Sequence, residues 1–161
     1  MKSAISKIEK IVINVGIGRV SALPNFDKTL PEIVKELSLI TGQKPSPRPA
    51  RQSIATFKLR AGAIIGLKTT LRRNKMRDFL DRLTKTALPR IRDFRGIDLS
   101  SIDKQGNLTT GIKEHIVFPE IIGDQSKVNF GLSITIVPKI VKNREEAIKL
   151  YRELGIPLKK S

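Results

Sequence analysis

Cysteine and tryptophan are both missing from this 161-residue chain. Without cysteine there is no disulfide framework and no thiolate metal site, a composition compatible with a reducing cytoplasm. Aromatic residues amount to only 4%. The core must therefore rest on Ile, Leu and Val, and stacking of bases on exposed rings is not expected to dominate any nucleic-acid contact. The sole histidine, His115, has no second histidine with which to hold a metal and no Ser or Cys at a recognisable catalytic motif; a structural or surface role is expected. Carboxylates are few, 15 against 31 Lys and Arg. Asp78, Asp81 and Asp93 lie among basic residues, where ion pairing explains them. None belongs to an acidic cluster of the kind that holds a divalent cation. No stretch reaches the roughly 20 apolar residues of a membrane span. Met1–Ile13 has neither the apolar run of a signal peptide nor an Arg/Ser-rich transit pattern. The chain reads as a soluble cytoplasmic protein with no cofactor, no metal, no membrane partner and no constellation for catalysis.

What the sequence has in abundance is positive charge: a formal net of +16 and a pI near 10.5. Self-repulsion of that size does nothing for a fold, whereas a polyanionic partner explains it. Nucleic acid is the first such partner and an anionic membrane surface the second. Residues 1–43 carry six Lys/Arg and four Asp/Glu, net +2; residues 44–95 carry fifteen and three, net +12; residues 96–161 carry ten and eight, net +2. Ten of the fifteen central cations are arginine, whose planar fork suits phosphate and base edges better than a lysine point charge. A merely solvated basic protein would scatter its lysines; this concentration reads as an electrostatic footprint on phosphate.

Periodicity gives a coarse map. Lys7–Val15 alternates, with Ile11, Ile13 and Val15 on one face and Lys10, Val12 and Asn14 on the other, as a strand does; Gly16-Ile17-Gly18 ends it. Thr29 and Glu32 form a capping-box pattern with Pro31 in a first helical turn. Leu30, Ile33, Leu37 and Ile40 follow at helical spacing, and Gly42 stops the helix. Pro45, Pro47 and Pro49 impose an extended stretch. Ser53–Leu59 alternates as a second strand, Gly62 and Gly66 bracket a turn, and Leu67–Arg72 is a third strand. In it Leu67, Thr69 and Leu71 face one way and Lys68, Thr70 and Arg72 the other. Met76, Phe79, Leu80, Leu83 and Ala87 predict a helix closed by Pro89; Arg90–Thr110 is loop-rich. Lys127–Val137 is a long strand with Phe130, Leu132, Ile134 and Ile136 inward. Asn143 and Glu146 cap a last helix bearing Ala147, Leu150 and Leu154, stopped by Gly155. A chain of this length buries roughly 70% of its unfolded surface, enough for one domain over 1–161. The element order predicts an α+β fold of two layers: a largely antiparallel sheet with helices packed on one face, the other face free for RNA.

Three patterns have competing readings. Gly16 and Gly18 invite a dinucleotide fingerprint, but its third glycine would fall at Ser21, no helix signal begins there, and no acidic ribose partner follows; a strand end with positive φ is the better reading. Pro45–Ser53 resembles a proline-rich ligand for a small module, yet its arginines and its place before a basic segment favour an RNA-facing loop. Lys68, Thr70, Arg72 and Arg73 combine hydroxyl and charge on one strand face, suited to tracking a backbone and reading 2′-hydroxyls; the alternative is a solvated strand face.

Several words then follow one another in a familiar order: Ile13-Asn14-Val15-Gly16-Ile17-Gly18, Thr41-Gly42-Gln43-Lys44-Pro45, Arg51–Arg60, Gly66–Arg72, Pro89–Gly96 and Phe118-Pro119-Glu120-Ile121. Together they resemble the bacterial-type large-subunit ribosomal protein five family, from about Ile8 to the C-terminus. The resemblance implies an antiparallel sheet with helices on one side. It also implies a structural, non-enzymatic role: binding 5S rRNA and attaching it in the central protuberance, beside large-subunit rRNA and other central-protuberance proteins. Family contacts to 5S rRNA carry over to Asn14, Gln43 and Thr70, with Lys44, Lys68, Arg72 and Arg73 beside them. The family's basic loop, which touches P-site tRNA, falls on about 46–62, with Arg48, Arg51, Gln52, Ser53, Lys58 and Arg60 as its contacting residues. An intersubunit bridge to small-subunit head protein thirteen is implied for the C-terminal half. The implied state is a monomer within a cytoplasmic ribosome. The sequence departs from the family at its front, where an extra N-terminal helix and linker are usual and the first strand here begins almost at Met1. Leu23–Lys28 also looks slightly longer than the common form. An off-ribosome RNA chaperone or regulator is the competing function.

Overall fold

The computed structural model describes residues 2–18, 24–57, 59–123, 126–139, 141 and 143–159. Five strands, β1 (Ile8–Gly16), β2 (Ser46–Pro49), β3 (Ile64–Leu71), β4 (Leu108–Ile112) and β5 (Leu132–Pro138), form one sheet in the order β2-β3-β1-β5-β4, every neighbouring pair antiparallel. Helices α1 (Lys2–Ser6), α2 (Phe26–Thr41), α3 (Arg73–Arg82), α4 (Leu88–Arg90) and α5 (Arg144–Glu153) complete the α+β architecture.

The period of two in β1 decides which face is covered. Ile11, Ile13 and Val15 are buried and lie in register with Leu71, Thr69 and Leu67 of β3; Ile11 and Ile13 also face Ile136 and Ile134 of β5. Onto that face α2 packs Ile33, Leu37 and Ile40, α3 packs Met76, Phe79 and Leu80, and α5 packs Ala147, Leu150 and Tyr151, all in one apolar core. Phe79 stacks on Phe118 with ring centroids 5.8 Å apart. As an upper bound, each fully buried aliphatic side chain contributes about 1.5–3 kcal/mol.

Helix ends show where local chemistry decides. Gly42 takes the left-handed conformation at φ 66° and donates its N–H to the Ser38 carbonyl, closing α2 as expected. Asn143 accepts the Glu146 N–H at 2.9 Å and caps α5. The expected start of α2 is wrong. The helix begins at Phe26, the Asn25 side chain makes no capping bond, and Pro31 lies inside the helix. Thr29 caps nothing: its hydroxyl donates to the Asn25 carbonyl one turn back. Pro89 does not close the third helix either. A π-helical turn, Leu83–Ala87, brings the Leu88 N–H back to the Leu83 carbonyl, and α4 continues to Arg90. That widened turn makes room for a proline ring that an unbroken helix would press against a carbonyl.

The strand expectations are corrected in several places. Ser53–Leu59 is no strand: Ile54 and Leu59 form one isolated bridge around a 3-10 turn, Ala55–Phe57. The segment is the tip of the β2–β3 hairpin, and Ile54, 43% exposed, has no apolar layer to lie on. The side chain of Phe57, expected to be buried, lies outside the described ones. At the end of the loop-rich Arg90–Thr110 section an unforeseen strand, β4, starts at Leu108, and β5 starts at Leu132 rather than Lys127. Gly66 lies within β3 instead of bracketing a turn, and neither Gly16 nor Gly18 has positive φ. At the front, α1 precedes β1, with Ala4 and Ile5 in the core. Part of Leu23–Lys28 lies outside the described residues.

Tyr151 joins three elements. Its hydroxyl lies 2.6 Å from the Gly106 carbonyl and 3.1 Å from that of Ile136 and donates to this pair, and burial pushes its phenol well above the usual value. Gly106 sits at φ 83°, and a Cβ there would lie 3.2 Å from the Ala147 Cβ. Tyr151→Phe leaves a buried carbonyl short of its donor and is expected to cost about 1–2 kcal/mol, read as a lower thermal midpoint with unchanged far-UV circular dichroism.

Candidate nucleic-acid interface

The second face of the sheet carries no helix among the described residues, and its side chains fall into rows. Antiparallel register aligns Ser46, Lys68, Asn14, Ser133 and Gly111 across all five strands. The next row is Thr70, Val12, Thr135 and Thr109, with the Thr109 and Thr135 hydroxyls 3.1 Å apart. On the other side of the first row Arg48 pairs with Gly66, which pairs with Gly16. Gly66 is tightly set: a Cβ there would lie 3.2 Å from the Val15 carbonyl oxygen and 3.8 Å from the Arg48 Cβ. The result is a low surface of hydroxyls and an amide with cations at Lys68 and Arg48. Asn14 is exposed and Thr70 half-buried, so both are available to a partner. Alternation within β5 was the signal for Ser133 and Thr135, the positions between its inward residues; sequence reasoning singled out neither.

Gln43 joins this face from outside the sheet. The Gly42 turn ends α2, Thr41 bonds back to the Leu37 carbonyl, and Gln43 then reaches across to donate its Nε2–H to the Thr70 carbonyl at 3.2 Å. Gln43 and Thr70 are therefore neighbours, although 27 residues apart in sequence. Lys44 follows, exposed.

Pro47 and Pro49 sit on edge strand β2, where a missing N–H leaves little unpaired. Beyond it the hairpin is tied by Ala50 N–H to the Ala63 carbonyl, Gly62 N–H to the Ala50 carbonyl, and the mutual bonds of Ile54 and Leu59. The Ser53 hydroxyl accepts the Ala61 N–H at 2.9 Å, a bond that shapes the hairpin. Arg48, Arg51, Gln52 and Arg60 are exposed around it. Lys58 lies outside the described residues.

Arg72 and Arg73 lie past the end of β3, which stops at Leu71. Arg72 is the residue before α3, and its guanidinium lies 3.2 Å from the Glu9 carboxylate, which Lys10 also approaches at 3.3 Å. The Arg72 guanidinium, with Lys10 beside it, holds the Glu9 carboxyl below the usual carboxylate range. Arg73 opens α3 at φ 53°, an uncommon conformation for a side chain with a Cβ. The central cations thus divide. Arg48 and Lys68 lie on the uncovered face, whereas Arg77, Arg82 and Arg90 belong to the helical layer. Of the three central aspartates, Asp81 pairs with Lys85 at 3.2 Å; Asp78 and Asp93 form no ion pair among the described residues.

His115 is fully buried and stacked on Phe130 at 4.0 Å. Its Nε2 lies 2.6 Å from Glu36 Oε2 and 3.2 Å from Ser126 Oγ, while its Nδ1 accepts the Phe130 N–H at 3.4 Å. A catalytic triad needs the carboxylate and the nucleophile on opposite ring nitrogens. Here both meet Nε2, and the ring sees no solvent, so this is a structural cross-link between α2 and the 115–130 segment.

Two family models match the chain, one described as ribosomal protein L5 over residues 3–60 and one as the C-terminus of that ribosomal family over residues 64–158. Their boundary falls in the hairpin before β3. The chain is similar to proteins named large ribosomal subunit protein uL5. With that of Mesoplasma florum it shares 51% identity over 97% of this chain and 84% of the relative. With that of Malacoplasma penetrans the figures are 51%, 98% and 82%. With that of Desulfosudis oleivorans they are 49%, 96% and 84%.

Proposed function

Because this chain belongs to the ribosomal protein L5 family, structural rather than enzymatic proteins, we propose that it binds 5S rRNA on the uncovered face of its sheet and helps attach that RNA in the central protuberance of the large subunit. The observation that carries this reading is the juxtaposition of Asn14, Gln43 and Thr70 on one helix-free face beside Lys68 and Arg48. Hydroxyls and amides there suit 2′-hydroxyls and base edges of a wide, shallow RNA groove, while Lys68, Arg48 and Lys44 meet phosphates. The exposed β2–β3 hairpin, with Arg48, Arg51 and Arg60, is the part that reaches P-site tRNA. A contact with small-subunit head protein thirteen completes the proposed surroundings, and the chain works as a monomer within a cytoplasmic ribosome.

The test is a filter-binding titration against 5S RNA and an unrelated structured RNA of similar length, over several salt concentrations. Affinity for both falls steeply with salt as counterions are released, with 5S RNA preferred at each point. Equal affinity for the two RNAs overturns the reading. Within the same assay, replacing Arg51 and Arg60 with glutamine is expected to change 5S affinity less than about threefold, because exposed single cations act only through screened charge, while weakening retention of P-site tRNA on reconstituted ribosomes.

A further inference from the structure

At the end of the sheet opposite the hairpin, where β1 begins and β3 and β5 end, a cleft of about 580 Å³ opens between α1 and the start of α3. Its walls carry four cations, Arg72, Arg73, Arg77 and Lys139, and one carboxylate, Glu9; Ile8 and Met76 close the floor. Glu9 engages Arg72. Arg73, Arg77 and Lys139 are exposed and have no ion-pair partner among the described residues. Three like charges directed at one cavity repel one another, and a fold acquires no stability from gathering them. A bound anion removes the conflict.

We propose that this cleft is a second RNA contact that holds the phosphodiester backbone, with Arg73, Arg77 and Lys139 as its cations and Glu9 moderating its charge by drawing Arg72 aside. The proposal rests on the RNA-binding reading above and extends it. Arg72 lies four positions along from Lys68, roughly 13 Å at strand rise. An RNA resting on the Lys68 row therefore has the cleft within reach along β3. No base edge is needed there: Arg77 and Lys139 are separate cations on separate elements, an arrangement that meets phosphates and carries no sequence information. The cleft thus supplies affinity and register, and the Asn14 row supplies preference.

The test pairs two variants of the full chain, R77Q/K139Q and E9Q, in the filter-binding titration with 5S RNA and with the unrelated structured RNA. For R77Q/K139Q the slope of log K against log salt shrinks by about one to two units, and affinity near physiological salt drops roughly tenfold for both RNAs alike. E9Q acts in the opposite direction, with affinity rising and the slope steepening by about one unit as Arg72 is released. All three side chains are at least partly exposed, and an unchanged circular dichroism spectrum verifies the fold. Unchanged affinity and slope in R77Q/K139Q overturn the proposal. So does a loss confined to 5S RNA, which would mean sequence readout, or a weaker E9Q. Failure of the underlying reading looks different: the unmodified chain then shows no preference for 5S RNA.

Discussion

Changing Asn14→Ala, Gln43→Ala and Thr70→Val together is expected to weaken 5S RNA binding by about 30- to 1000-fold and to leave the salt slope within about half a unit of the original. The size follows from three hydrogen-bonding side chains at about 0.5–1.5 kcal/mol each, a total of about 2–4 kcal/mol. The unchanged slope follows because none of the three is charged, so no counterion release is lost. Binding to an unrelated RNA changes little, and the preference collapses. Gln43 also donates to the Thr70 carbonyl, so Gln43→Ala removes a tie between the end of α2 and β3 as well as an RNA contact. The pair Asn14→Ala and Thr70→Val keeps that tie and shows the same direction with a smaller loss. A triple variant that loses slope but keeps preference would place recognition elsewhere.

His115→Ala is expected to destabilise the fold by about 2–4 kcal/mol, lowering the thermal midpoint by roughly 6–12 °C. Two losses combine. The imidazole is fully buried against Phe130, so a cavity remains. Glu36 loses the partner 2.6 Å from its carboxylate and keeps the Ser126 hydroxyl at 3.0 Å. Glu36→Gln is milder, about 1 kcal/mol, because a neutral side chain there still accepts from the imidazole. RNA affinity of either variant, measured well below its unfolding transition, stays unchanged, since this cluster lies on the covered side of the sheet. Altered RNA binding by folded His115→Ala would contradict its assignment as a cross-link.

Legibility in the sequence tracked how one-sided each element is. β1 and β3 were readable because one face of each is covered, so buried Ile11, Ile13 and Val15 in the one, and Leu67, Thr69 and Leu71 in the other, alternate with less buried residues. The cap of α5 and the stop of α2 were readable because Asn143 and Gly42 act on their own backbone neighbours. Ser53–Leu59 misled because its alternation has no layer to bury against, and a period of two without a covering layer does not make a strand. β4 was missed because Thr109, Thr110 and Gly111 leave only two buried positions, Leu108 and Ile112, at its ends. On the interface, the resemblance picked out Asn14, Gln43 and Thr70, and the structure brings them together. What no local pattern foretold was long-range pairing: Arg72 meets a carboxylate, Glu9, 63 residues away. Charge counted along the chain marked the basic third but not its division between the uncovered face and the helical layer.

The sheet order has a kinetic side. β1, the middle strand, is the first to leave the ribosome that makes it, yet Ile13 takes its neighbours from Thr69 on one edge and Ile134 on the other. At about 5–20 residues per second, the last of these emerges roughly 6–24 seconds after the first. Throughout that interval the central strand waits with at least one edge bare, while the cationic middle of the chain trails behind it. Pairing of such distant partners is slow, so the bare edge is open to another chain until the last strand arrives.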